Sequence, residues 1–313
     1  TPAAFRVFED GRPQKIEYFE PVGDPYSLML VLDTSGSAGD EVEKMRRAAS
    51  DFVAGVGPED RLGVIAFSRS IEMLGGMTND RAELARHLAD VKPTVARNAR
   101  NGRFDETTGT SFYDALYLAC AESPLAEDSG TGRKAVVIFS DCVDSTSSYR
   151  FEQVTDAVER SGASVYVLLF DTKSFSDRLL TSARGTTDRI NFSASQLARF
   201  YDAHAPDSED RGREPSSYSD LERLEINGAL YDIARDHATR LAERTGGRVY
   251  PVRGYGDLGA AYAAIAAELR TRYSSGYYPT NARHDGTWRT LRVEVPGQPR
   301  AKVVTRPGYW APK

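Results

Sequence analysis

The sequence predicts a doubly wound α/β fold built on a mostly parallel sheet, with a small β module beside it. Three observations predict it. Segments dominated by apolar residues at Leu28 to Leu32, Arg61 to Phe67, Lys134 to Ser140 and Ser164 to Phe170 are short and nearly unbroken, as strands buried on both faces are. Helical-period segments separate most of them, which is the alternation that builds parallel sheets. The two chain ends instead alternate apolar and polar residues, the pattern of strands with one wet face.

The N-terminal stretch Ala4 to Val22 alternates on either side of Asp10-Gly11 and reads as a β-hairpin with the turn residues in place. Pro21, Gly23 and Pro25 then lead into the first buried strand. Glu41 to Val56 has apolar residues at helical spacing and stops at Gly57-Pro58. After the strand Arg61 to Phe67, Ile71 to Met77 forms a short companion, and a helix runs from Asp80 to Val91. Arg97 to Gly109 is polar and aperiodic, a long loop leading through Thr110 and Ser111 into another helix. The strand Lys134 to Ser140, the helix Phe151 to Arg160 and the strand Ser164 to Phe170 continue the alternation.

From Asp171 to about Asn227 the alternation fails, and the segment is expected to be an insertion, partly helical and partly mobile. It leaves the C-terminal end of a parallel strand, so it emerges on the edge that carries the tips of the other strands. The alternation resumes with a helix from Ala229 to Thr245, a strand from Arg248 to Val252 and a helix from Leu258 to Tyr273. Tail strands at Gly276 to Pro279, Trp288 to Val295 and Lys302 to Thr305 are the expected partners of the N-terminal hairpin, which is too short to stand alone. The expected organisation is residues 1–25 as the first part of the β module, 26–273 as the α/β domain with its insertion at about 171–227, and 274–313 as the rest of the module.

A chain of 313 residues with 40% hydrophobic content can bury a substantial core. Its net charge of −5 comes from interspersed charges, which argues against a nucleic-acid partner. No segment approaches the roughly 20 apolar residues of a membrane span, and no signal peptide is evident in this stretch. Cys120 and Cys142 are too few for a disulfide framework or a zinc cluster, and their placement in the fold makes each a buried thiol. His87, His204, His237 and His284 show no metal-ligand spacing.

The chemistry gathers at the strand tips. The first buried strand ends in Asp33, Thr34, Ser35, Gly36 and Ser37, and the buried strand Lys134 to Ser140 ends on Asp141. In open parallel sheets ligands bind just beyond the carboxyl ends of the strands, and Thr110 enters the same edge from the loop before a helix. Two carboxylates and three hydroxyls, with no Cys or His, suit a hard cation such as Mg²⁺, Mn²⁺ or Ca²⁺. Asp33 to Ser37 taken alone also fits an ordinary strand-to-helix turn with a capping side chain.

The motifs DTSGS at Asp33 to Ser37, TGTSFYDAL at Thr108 to Leu116 and VIFSD at Val137 to Asp141 resemble the metal-ion-dependent adhesion site (MIDAS) of von Willebrand factor type A (vWA) domains. The resemblance covers about Tyr26 to Tyr273 and implies a Rossmann-like sheet with Asp33, Ser35, Ser37, Thr110 and Asp141 at the metal. Phe5 to Ile16, Arg240 to Tyr250 and the stretches RYSSGYYPTN and TRPGYW resemble more closely the VWFA-related family described from acidobacteria. It implies a Mg²⁺-dependent binding protein, secreted, periplasmic or on the cell surface, in which an Asp or Glu of a protein or peptide partner completes the coordination. Two departures stand out: Cys142 where vWA domains commonly have Gly, and the long Arg97 to Gly109 loop.

Other features admit simpler readings. GYGDLG at Gly254 to Gly259 matches a dinucleotide fingerprint but follows the last strand of the sheet and lacks the downstream acid, so it reads as a Gly-rich connection. Asp114 and Asp144 are either partners of the metal-site groups or surface acids and caps. Asp105 and Glu106 are candidates for an internal ligand at the open metal position, against a solvated loop as the default. Tyr262, Ile265, Leu269 and Tyr273 share a helix face and read as core. Two other functions remain in view: a metal-dependent hydrolase, for which no general base or second metal is apparent, and an adaptor subunit of an ATP-driven assembly.

Overall fold

The computed structural model describes residues 2–20, 25–36, 42–94, 109–127, 133–181, 191–271, 273–298 and 303–312. The chain opens with β1 (Arg6–Glu9), β2 (Arg12–Gln14) and β3 (Tyr18–Glu20). Asp10 and Gly11 join β1 to β2 with φ of 47° and 76°, the left-handed pair that a two-residue hairpin turn requires. Next come β4 (Tyr26–Asp33), α1 (Val42–Gly55), β5 (Arg61–Phe67), β6 (Ile71–Thr78) and α2 (Arg81–Asp90). Then α3 (Phe112–Tyr117) runs into a π-helical turn at Leu118–Glu122, followed by α4 (Pro124–Glu127), β7 (Arg133–Ser140), α5 (Phe151–Ser161) and β8 (Ser164–Phe170). The remainder is α6 (Lys173–Thr181), α7 (Ala194–His204), α8 (Asp220–Arg244), β9 (Arg248–Val252), α9 (Tyr255–Thr271), β10 (Ser274–Gly276), β11 (Trp288–Glu294) and β12 (Gly308–Trp310).

The main sheet has the strand order β6-β5-β4-β7-β8-β9, parallel throughout except for the antiparallel edge strand β6. The unbroken apolar runs follow from this arrangement. Leu28, Leu30 and Leu32 of β4 pack into the core shared with α1 and α9, while Met29 and Val31 face the core shared with α3, α5 and α8. With both faces covered, period-two alternation has no wet side on which to place polar residues. The chain runs from β4 to β5 on one side and returns to β7 on the other, so β4 marks the point where the order reverses. Such a switch point opens a crevice at the strand tips.

Tyr262 of α9 packs against Phe52 and Phe139 in the first core, and its hydroxyl has no hydrogen-bond partner among the described residues. A buried unsatisfied hydroxyl costs about 1–3 kcal/mol. Tyr262→Phe is therefore expected to stabilise the protein by about 1 kcal/mol, read as an upward shift of the urea midpoint.

A four-stranded antiparallel sheet of order β12-β11-β1-β2 and a two-stranded ribbon of β10 with β3 join the two chain ends. The last strand lies at Gly308–Trp310 and not at Lys302 to Thr305, whose described residues carry no strand and leave Val303 and Val304 exposed. The displacement has a packing cause. Trp310 opposes Trp288 in an edge-to-face pair and donates its indole N–H to Glu159 of α5 at 2.8 Å, which docks this sheet on the main domain. Tyr273, expected in the core face of α9, lies past the helix end, 57% exposed, and stacks on Phe19.

The described residues after β8 hold more helix and more packed apolar surface than their composition promises. Leu180, Phe192, Leu197, Tyr201, Tyr218, Ile226 and Leu230 form a third apolar cluster of their own. Helix α8 begins at Asp220, not Ala229, behind a capping box of Ser219 and Glu222. Asn227 and Gly228 in its interior hide that earlier start, since neither residue type favours a helix.

Candidate metal site at the strand tips

Parallel neighbours β4 and β7 pair Leu32 with Phe139, so the residues that follow each strand emerge side by side. Asp33 is fully buried, and Asp141 is 5% exposed. Asp33 accepts from the Ser35 N–H at 2.9 Å through Oδ1 and from the Ser140 hydroxyl at 2.5 Å through Oδ2. Ser140 in turn accepts from the Cys142 N–H at 2.8 Å. The Cys142 backbone takes a φ of 61°, the left-handed region that glycine enters most easily, at the position where vWA domains commonly carry Gly. Asp141 accepts from the Val143 N–H at 3.0 Å through Oδ1 and from the Thr172 hydroxyl through Oδ2.

Thr110, buried in front of α3, is tied to the loop after β7 at both backbone groups. Its N–H donates to Ser145 Oγ at 2.9 Å, and its carbonyl accepts from the N–H groups of Ser145 and Thr146 at 2.8 and 3.2 Å. Gly109 makes that approach possible, because a Cβ there would stand 2.6 Å from the Thr146 methyl. Ser35 is also buried. Of the five residues singled out by sequence, four are thus placed: Asp33, Ser35, Thr110 and Asp141. Ser37 lies outside the described residues, as do Asp105 and Glu106.

Burial and then the neighbouring charge of Asp141 push the Asp33 carboxyl well above the usual carboxylate range. No Lys or Arg among the described residues pairs with Asp33. Among the described residues no three or more His, Cys, Asp or Glu are arranged so that they could hold a metal ion, so a metal here would draw on hydroxyls and water besides the two acids. That donor set fits a hard cation.

Around the site, the sequence pattern does not point to Ser140, Thr172, Tyr231, Ser195 or Arg199, whereas Asp114, Asp144 and the two cysteines stand among its candidates. Ser140 bridges the two strand tips. Tyr231 of α8 stands 2.7 Å from Thr172, and burial, followed by the charge of Asp141, pushes its phenol up, so it remains an O–H donor. Asp144 is buried and paired with Arg199 of α7 at 3.0 Å, while Ser195 donates to the Ser145 carbonyl at 2.9 Å. Asp114 accepts from the N–H groups of Ser148 and Tyr149 at 2.9 Å and shapes the same loop. Cys120 and Cys142 are both buried free thiols.

The crevice, the strand order and the acid-hydroxyl tips define an α/β domain of the open, doubly wound class. Residues 28–146 match the family model of the von Willebrand factor type A domain, and the chain contains such a domain. No curated protein matches the chain. Among solved structures, an aerotolerance-related membrane protein from Bacteroides fragilis is similar at 18% identity and a TM-score of 0.48, covering 79% of this chain and 100% of that one. BatB from Bacteroides thetaiotaomicron is 18% identical with a TM-score of 0.44, over 78% of this chain and 97% of that one. Proximal thread matrix protein 1 from the mussel byssus, with a zinc-occupied MIDAS motif, is 15% identical with a TM-score of 0.40, over 49% of this chain and 38% of that one.

Proposed function

We propose that this protein binds a protein or peptide partner through a divalent cation held by Asp33, Ser35, Ser37, Thr110 and Asp141. Mg²⁺ is the first choice, with Mn²⁺ or Ca²⁺ as alternatives, and an Asp or Glu of the partner completes the coordination. The observation that carries this reading is the pair of buried acids at adjacent strand tips, Asp33 and Asp141, whose mutual repulsion a bound cation would offset. The cation would supply positive charge to an incoming carboxylate, while the chain's own N–H and hydroxyl groups hold its two acids in place. A location outside the cytoplasm, at the cell surface or in the periplasm, accords with the family resemblance. In the described residues no helix is long and apolar enough to cross a membrane.

The test is retention of an immobilised library of acid-bearing peptides. Wild type is expected to hold a subset of them in Mg²⁺ and release them in EDTA, and Asp33→Ala to hold none. Equal retention in EDTA, or by Asp33→Ala, overturns the reading.

A further inference from the structure

We propose that Thr172 and Tyr231 are positioning residues for the metal site, and that they make its affinity depend on how the segment after β8 is seated. The inference rests on the metal reading above and adds residues outside the proposed ligand set.

An ionised carboxylate only accepts hydrogen bonds, so the Thr172 hydroxyl must donate to Asp141 Oδ2. Its single proton is then committed, and the contact of 2.7 Å with Tyr231 has to run from the phenol to Thr172 Oγ1. The result is a directed chain, Tyr231 to Thr172 to Asp141, in which each bond polarises the next. Both hydroxyls are buried, with Thr172 at 9% and Tyr231 at 7% exposure, so water competes little for them. The scaffold behind them is cross-linked. Ser176 of α6 donates to Asn227 of α8 at 3.1 Å, and Asn227 donates to Asp177 at 2.8 Å. Asp141 is therefore oriented by two helices of the insertion region as well as by its own strand. Groups that hydrogen-bond a ligating side chain from behind typically contribute 10–100-fold to metal affinity.

Mn²⁺ titration of the full chain by calorimetry tests the assignment. Thr172→Val is expected to weaken binding by about 10–100-fold and Thr172→Ser to restore it. Tyr231→Phe should weaken binding by a few-fold, and the double variant Thr172→Val, Tyr231→Phe should match Thr172→Val alone, because the phenol acts through Thr172. Rescue by serine separates positioning from a packing role, and Tyr231→Phe carries the test if Thr172→Val does not fold. Affinity of Thr172→Val within about two-fold of wild type overturns the proposal, as do multiplying effects of the two substitutions. Absence of Mn²⁺ binding by wild type overturns the metal reading itself and this proposal with it.

Discussion

Metal-free Asp33→Asn is expected to melt higher than wild type at pH 8 and to lose Mn²⁺ binding, two effects of opposite sign from one charge. In the folded chain the Asp33 carboxyl is raised by burial and then by Asp141, whereas unfolded it titrates near the ordinary carboxylate value of about 3.9. Between those two values the native state holds more protons than the unfolded state. Stability from this group is therefore present below the unfolded value and lost as pH rises through the folded one. Each unit of displacement is about 1.4 kcal/mol, so the charged acid costs the metal-free protein on the order of a few kcal/mol at pH 8. Asparagine removes the charge, and with it both that loss and the attraction for a cation. Saturating Mn²⁺ should stabilise wild type more at pH 8 than at pH 5 and leave Asp33→Asn unmoved. Calorimetric melting at both pH values, in EDTA and in Mn²⁺, checks the set. The wild-type minus variant difference isolates Asp33 from His237, which burial lowers to about 4 and which destabilises both proteins as pH falls from about 6.5 toward that value. A difference that does not grow between pH 5 and pH 8 would rule out the proposed burial of charge.

Asp33, Thr110 and Asp141 were legible because each sits beside a strongly patterned element. A short, nearly unbroken apolar run bounded by turn residues reads as a strand covered on both faces, and its last residue is then a tip. The groups that hold those acids were not legible. Tyr231 reaches Thr172 across 59 positions, within a region whose apolar residues show no single period. Local pattern carries no information about such a contact, which arises from the way α6 and α8 pack. Ser140 is different, since it immediately precedes Asp141 in the strand. Parallel pairing with β4 brings its hydroxyl to Asp33, and the register could have been drawn from the two runs alone. The tail strand lies away from the stretch that local pattern favours, and packing is the reason. Two valines after position 302 match strand propensity, but Gly308–Trp310 gains the Trp288 and Glu159 contacts, and tertiary packing outweighs local preference.

The second large effect lies at Arg199. The Asp144 side chain is wholly inaccessible to solvent, and Arg199 pairs with its Oδ1 at 3.0 Å, donates to its backbone carbonyl and lies 5.4 Å above the Tyr113 ring. Removing one partner of a buried pair leaves the other charge uncompensated, so Arg199→Ala is expected to destabilise the protein by about 3–5 kcal/mol. Burial raises the Asp144 carboxyl, and the Arg199 charge opposes that rise. Without the arginine the acid shifts further toward its neutral form, which places the larger loss at pH 8 and the smaller at pH 5. Urea unfolding at the two pH values measures both the loss and its direction. Arg199→Met combined with Asp144→Asn should recover most of the stability, because a neutral, filled site carries no stranded charge. An Arg199→Ala loss below about 1 kcal/mol would show that solvent reaches Asp144 and that the pair acts as a surface contact. The consequence for the site runs through the same loop. Arg199 and Ser195 of α7 hold Asp144 and Ser145, and Ser145 holds Thr110 at both backbone groups, so Mn²⁺ affinity should fall in Arg199→Ala and return in the neutral double variant.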